Sequence, residues 1–188
     1  KTGRDIYDSN TIDYLYSTID KKELQLKPFQ LAKKIEHLQN PSFVIKNSFA
    51  IAANDLLEYL TNFQLRKFWL DESVELKFKA EEVNRIGTEH ICIIKDKHLN
   101  FTTITKQGKP GQLIYGEMTS SPAPVDKVYQ YQIITPINAN SCLLETEVFL
   151  EAKSPIKKLL IFLFVKKAFK KGTISAMNKL GQFIQTKK

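Results

Sequence analysis

The sequence predicts an α+β domain: a curved, seven-stranded antiparallel sheet, two short helices after its first strand, and a long C-terminal helix across the concave face. Three observations carry the prediction. From Phe43 to Glu151 apolar residues recur mainly at a period of two, the mark of half-buried strands. One interruption, Ala53 to Leu70, switches to helical spacing. From Ser154 to Lys188 a basic helical pattern closes the chain.

Taken in order, Lys1 to Asn40 is mixed in charge and holds two weak helical patterns. Ile12, Tyr14, Leu15 and Ile19 follow Asp8-Ser9-Asn10, and Phe29, Leu31, Ile35 and Leu38 follow Lys27-Pro28. Neither buries much surface alone. Residues 1–41 therefore read as an N-terminal helical extension or a connector to an upstream domain, and 42–188 as the main domain, with a turn at Asn40-Pro41. The chain opens on Lys1 and reads as a piece of something longer. His37 is read as an exposed helix histidine.

In the main domain, Phe43, Ile45, Phe49 and Ile51 alternate with Val44, Lys46, Ser48 and Ala50 as a first strand. Ala53-Asn54-Asp55 opens a short helix with Leu56, Leu57 and Leu60 inward, and Gln64 to Leu70 forms a second around Leu65, Phe68 and Trp69. Strands follow in hairpin succession: Val74 to Lys79, Ile86 to Ile94, Leu99 to Thr105, Gln112 to Met118, Asp126 to Thr135 and Ser141 to Glu151. Turn signals at Gly108-Lys109-Pro110-Gly111, Ser121-Pro122-Ala123-Pro124 and Pro136 to Asn140 separate the later ones. A sheet of this size must twist and curve.

The last helix opens on Ser154-Pro155, a cap followed by a proline where the missing N–H costs nothing. From Ile161 onward its apolar stripe runs Phe162, Val165, Phe169, Ala176, Leu180, Phe183 and Ile184. The small residues Ala168, Gly172 and Ala176 in that stripe either let the helix approach the sheet or leave a hollow beneath it. Leu159 to Val165 is apolar on every side, yet far shorter than the roughly 20 residues a bilayer span needs. Two readings stay open for this run. One is burial between the sheet and the N-terminal segment. The other is a membrane surface, with Lys157, Lys158, Lys166, Lys167, Lys170 and Lys171 on anionic headgroups and leucine and phenylalanine among acyl chains.

At 188 residues, 43% hydrophobic and 26% charged, the composition is that of a globular chain with one sizeable core. Of its net charge of +8, nine lysines and no acid fall after Ser154, which leaves the rest of the chain at −1. The basicity is local. With a single tryptophan, no arginine cluster, no zinc-finger spacing and no aromatic RNA-binding signature, nucleic acid is not an expected partner. Cys92 and Cys142, far apart, fit buried thiols in a reducing, cytoplasmic setting.

The order of one strand, two helices, six strands and a long helix resembles the helix-grip fold of the START-like superfamily, also called SRPBCC, which holds the birch pollen allergens, lipid-transfer START domains and polyketide cyclases. Phe49-Ala50-Ile51-Ala52-Ala53-Asn54-Asp55-Leu56-Leu57-Glu58-Tyr59-Leu60-Thr61-Asn62, Phe68-Trp69 and Ile86-Gly87-Thr88-Glu89-His90 carry the resemblance, which spans Ser42 to Lys188. Asn84 to Cys92 also resembles the C-terminal half of uncharacterised bacterial proteins that place such a domain after a nucleotide-cyclase-like one, which implies an upstream domain and a sensor module. The resemblance implies a cavity between sheet and last helix that holds an apolar ligand. The strand aromatics, including Tyr129, would line such a space or equally fill a solid core.

The expected ligand-binding residues are Phe43, Ile45, His90, Cys92, Phe101, Tyr115, Tyr131, Phe169 and Ala176; the sequence does not fix which parity of each strand faces inward. Three functions follow. The leading one is non-enzymatic binding of a hydrophobic small molecule or lipid. The second is a polyketide cyclase-like enzyme using His90, Tyr115 and Tyr131, and the third is a regulatory or membrane-surface module. No Gly-x-Ser-x-Gly elbow is present. His90 and Cys92, two apart on a strand, face one side, but such neighbours are ordinary and the sequence supplies no third group, so no catalytic residue is assigned. No spacing gathers three metal ligands, with His98 placed in a turn, and the Gly108–Gly111 loop lacks the phosphate-loop pattern. Neither a metal nor a cofactor is expected.

Overall fold

Short strands joined by tight turns pair with their neighbours in sequence, and the meander read from the period-two pattern forms in this way. The computed structural model describes residues 40–70, 74–78, 84–94, 97–120 and 124–187; the two helices predicted before Asn40 lie outside them. The strands are β1 (Phe43–Phe49), β2 (Val74–Lys77), β3 (Glu89–Ile94), β4 (Lys97–Ile104), β5 (Leu113–Ser120), β6 (Lys127–Asn138) and β7 (Ser141–Glu151). They form one antiparallel sheet in the order β1-β7-β6-β5-β4-β3-β2, so β1 and β2 are its edges. His98 lies in β4 opposite Ile93, which corrects its placement in a turn.

Residues opposed across antiparallel strands share a face, so the register settles the parity. Phe43, Ile45 and Phe49 stand against Val148, Thr146 and Cys142; Gln132 stands against both Thr146 and Tyr115; Phe101 stands against Thr119 and His90. All of these lie on the face the helices cover. Two helices follow β1, α1 (Ala53–Thr61) and α2 (Phe63–Arg66). The second is shorter than predicted, and starts where the Asn62 side chain accepts the Gln64 N–H at 3.0 Å.

The C-terminal segment runs as α3 (Pro155–Leu160), a five-residue π turn (Ile161–Val165) and α4 (Lys166–Gln185). Leu56 and Leu60 of α1, Trp69, and Met177, Leu180 and Ile184 of α4 pack on Phe49, Tyr115, Ile134 and Leu144 as one core. Ile161, Val165 and Phe169 cover Phe43, Ile45, Val128 and Val148 as a second.

The π turn has a geometric reason. The inward residues Ile161, Val165 and Phe169 recur every four, a step that drifts by about 40° in a helix of 3.6 residues per turn. A wider turn offsets the drift and keeps all three over the second core. It also turns Phe162 outward, 75% exposed, which corrects its place in the inward stripe. Ala168 and Gly172 face away from the sheet as well, and a Cβ at Gly172 would meet nothing within 4 Å. The small residues therefore leave no hollow there. Among the described residues only Ile161 of the Leu159–Val165 run is buried, and the N-terminal segment of the burial reading lies outside them.

Candidate functional site

The helix-covered face carries an unusual share of polar side chains, and they begin at a helix end. The last carbonyls of an α-helix have no intrahelical partner, and at α1 three are met by side chains. Trp69 Nε1 donates to the Tyr59 carbonyl at 3.2 Å, Asn84 Nδ2 to Thr61 at 2.9 Å, and Arg66 to Leu60 through Nε at 2.9 Å and Nη2 at 2.6 Å. A cation at this end also suits the helix dipole. The break at Asn62 turns α2 back so that Arg66 reaches this position.

Arg66 then extends the network onto the sheet. Its Nη1 donates to Glu117 Oε1 at 2.6 Å, and its Nη2 to the Tyr115 hydroxyl at 2.6 Å. Tyr115 donates in turn to Glu117 at 2.6 Å, while Asn84 donates to the Tyr115 oxygen at 3.1 Å and accepts from Thr103 at 2.6 Å. His90 Nε2 sits 3.3 Å from Glu117 Oε1 but off the line a hydrogen bond requires, and neither ring nitrogen finds a hydrogen-bond partner. Its imidazole lies between the rings of Phe63, at 4.4 Å, and Phe101, at 5.4 Å.

Protonation follows from this geometry. Burial pushes the Glu117 carboxyl up, but Arg66 above all, with His90 and the bond from Tyr115, outweighs it and holds the carboxyl below its usual range. Burial lowers His90 to about 4 despite the nearby carboxylate, so the ring is neutral at pH 7. Burial, then the charge of Glu117, pushes Cys92 up to about 12 and the Tyr115 phenol well above its ordinary value. With no hydrogen bond to either ring nitrogen and a weakly basic imidazole, His90 is not placed to activate the Cys92 thiol.

Four of the expected ligand residues, His90, Cys92, Phe101 and Tyr115, thus share one region of the face. Phe43, Ile45 and Phe169 meet in the second core instead, and Ala176 packs beside the first. Tyr131 is corrected to the opposite face: it opposes Gly116 and Glu147, lies over Gly116, and makes an edge contact with Phe149 at 6.0 Å. Sequence reasoning missed Arg66, Glu117, Asn84 and Thr103. Glu117 had a signal, since it shares parity with Tyr115 two residues before it. Lys157 is also corrected, because it is paired with Asp126 and is not one of the open lysines.

A groove of about 390 Å³ opens elsewhere, between the edge strand β1 and α4, lined by residues that include Asn47, Phe49, Met177, Gly181, Gln182 and Ile184. None of the nine expected residues lines it. Asn47 Oδ1 is sealed from solvent there without a hydrogen-bond partner. On the same sheet face, Thr119 Oγ1 is likewise unpartnered, and Thr146 donates to Gln132 at 2.6 Å. Among the described residues no three His, Cys, Asp or Glu side chains converge as metal ligands.

No family model matches the chain, and no curated protein matches it in sequence. Solved structures do match in fold. A START superfamily protein from Mycobacterium smegmatis aligns with a TM-score of 0.58 at 15% identity, over 78% of this chain and 98% of that one. Norcoclaurine synthase from Thalictrum flavum, solved with dopamine and hydroxybenzaldehyde, gives 0.54 at 13% identity over 78% and 87%. The di-domain ARO/CYC protein BexL from the BE-7585A biosynthetic pathway gives 0.60 at 11% identity over 76% of this chain and 46% of that one. The fold is the START-like helix-grip fold.

Proposed function

We propose that this domain binds a hydrophobic small molecule or lipid between the helix-covered sheet face and the C-terminal helix, in the groove beside β1, without chemical conversion. One observation carries the reading. Asn47 stands on the groove wall with its Oδ1 buried and unpartnered, beside Phe49, Met177 and Ile184 and the polar Ser48, Asn178, Gln182 and Gln185. A buried polar atom without a partner is unfavourable by itself. Turned into the groove, the Asn47 amide would meet a ligand with an apolar body and one hydrogen-bond donor, and the volume suits a small ligand. The similarity to START-like structures supports the same reading. A cyclase-like enzyme is the second reading, favoured by Glu117, Tyr115 and His90 standing together on that face. Residues 1–41 are proposed to be an N-terminal helical extension or a connector.

Native mass spectrometry of the gently purified protein tests the proposal. A discrete extra mass that denaturation removes is expected. It is expected to disappear in Gly181→Leu, whose Cβ meets only Phe49 at 3.8 Å and whose side chain fills the groove. No extra mass, together with no uptake of a fluorescent fatty acid, would leave a filled core and refute the proposal.

A further inference from the structure

The start of the C-terminal helix exposes a large apolar surface that neither core absorbs. Ile156 is 70% exposed, Leu159 57%, Phe162 75%, Leu163 49% and Phe164 65%. Side chains of this size grouped on one surface mark an interaction site rather than ordinary scatter. The inner side of the same turns is anchored, since Ile161 and Val165 pack on Phe43, Ile45 and Val148. The π turn thus fixes the backbone from beneath while it presents phenylalanine and leucine outward.

From this surface we infer that the protein docks on an anionic lipid bilayer, with Leu159, Phe162, Leu163 and Phe164 entering the acyl boundary and the neighbouring lysines resting on headgroups. Lys158, Lys166, Lys167, Lys170 and Lys171 are exposed on the turns around the patch. From Ser154 onward the chain has nine lysines and no acid. An amphipathic segment with lysines flanking phenylalanine and leucine matches the interface of an anionic membrane. No described helix is long and apolar enough to cross one, so the segment lies in the headgroup plane. Charge also decides between a bilayer and a second copy of the chain. A symmetric dimer on this face would bring the two lysine sets together without an acid in either segment, a repulsive arrangement. The inference does not depend on the groove beside β1.

Flotation of the full chain with vesicles tests it, using phosphatidylcholine with and without phosphatidylserine. Binding is expected only with phosphatidylserine and is expected to weaken with salt. Lys166→Glu with Lys167→Glu is expected to reduce partitioning by roughly tenfold or more, since each lysine near such a surface is worth about a fivefold change. Phe162→Ser with Phe164→Ser is expected to abolish retention while leaving the thermal midpoint unchanged, because both side chains are exposed. Failure of the wild-type chain to bind phosphatidylserine vesicles, or equal binding by these variants, would overturn the inference. So would a stable dimer in light scattering that the phenylalanine substitutions dissolve.

Discussion

Replacing Glu117 with glutamine leaves the shape of the polar cluster and removes the one negative charge that faces Arg66. The pair is close, at 2.6 Å, and the two side chains are 6% and 14% exposed. Breaking a buried pair by deleting one partner costs about 3–5 kcal/mol, because the remaining charge is left in a poorly solvated place. Arg66 keeps the Leu60 carbonyl and the Tyr115 oxygen as acceptors, which puts the expected loss near the lower end, about 3 kcal/mol. Urea unfolding at pH 7 measures it, and a slope of roughly 1–3 kcal/mol/M converts the loss into a midpoint lower by about 1–3 M. The pH dependence gives a second reading of the same group. The folded carboxyl has a depressed pKa, so its stabilisation is complete above the unfolded value of about 4.3 and is lost as pH falls through the lower folded value. Glu117→Gln lacks that acid limb. Combining Arg66→Met with Glu117→Leu is expected to cost less than the single change, since no unpaired charge remains. A loss under about 1 kcal/mol, the worth of a surface pair, would refute the account of a buried, coupled pair.

His90 is neutral in the fold to about pH 4, against 6.5 for a free imidazole. Between those values the unfolded chain binds more protons, so stability falls by about 3 kcal/mol as pH drops from 6.5 to 4 and is unaffected by this group above 6.5. The imidazole resonances are expected to titrate near 4 and His90→Leu to flatten the slope; titration near 6.5 would remove the burial argument. Two glycines should respond oppositely in thermal unfolding. A Cβ at Gly116 would come within 2.7 Å of the Tyr131 ring, so Gly116→Ala is expected to cost about 1–3 kcal/mol. Gly172 stands in open space within α4, so Gly172→Ala is expected to stabilise by about 0.5–1 kcal/mol.

Much of the fold was legible because strand alternation and helical spacing are local signals. Phe43, Ile45 and Phe49 marked β1, and the Ser141–Glu151 strand has the bounds read from its sequence. Departures occur where backbone conformation, not polarity, sets the boundary. Gly87, at φ 89°, forms a turn that delays β3 to Glu89, where a strand from Ile86 was predicted. The π turn left no comparable mark, because its cause is a match between the spacing of Ile161, Val165 and Phe169 and a sheet surface built from residues far earlier in the chain.

The polar cluster shows why site residues were harder to read than the fold. A charged residue at an inward helical phase, such as Arg66 three after Phe63, is visible in sequence, yet its partner Glu117 lies 51 residues on and is chosen by topology. Visibility would not have settled its role either. Arg66 closes the carbonyl end of α1 and Glu117 neutralises Arg66, so these two charges are largely accounted for by holding the first helix pair to the sheet. The Arg66 donors are taken up by Leu60, Tyr115 and Glu117, which leaves little of the guanidinium to offer a ligand. The unpartnered Asn47 oxygen beside the groove has the opposite character, with polarity that nothing in the described chain uses. That contrast is the reason the ligand proposal rests on the groove beside β1 rather than on the most strongly charged place in the domain.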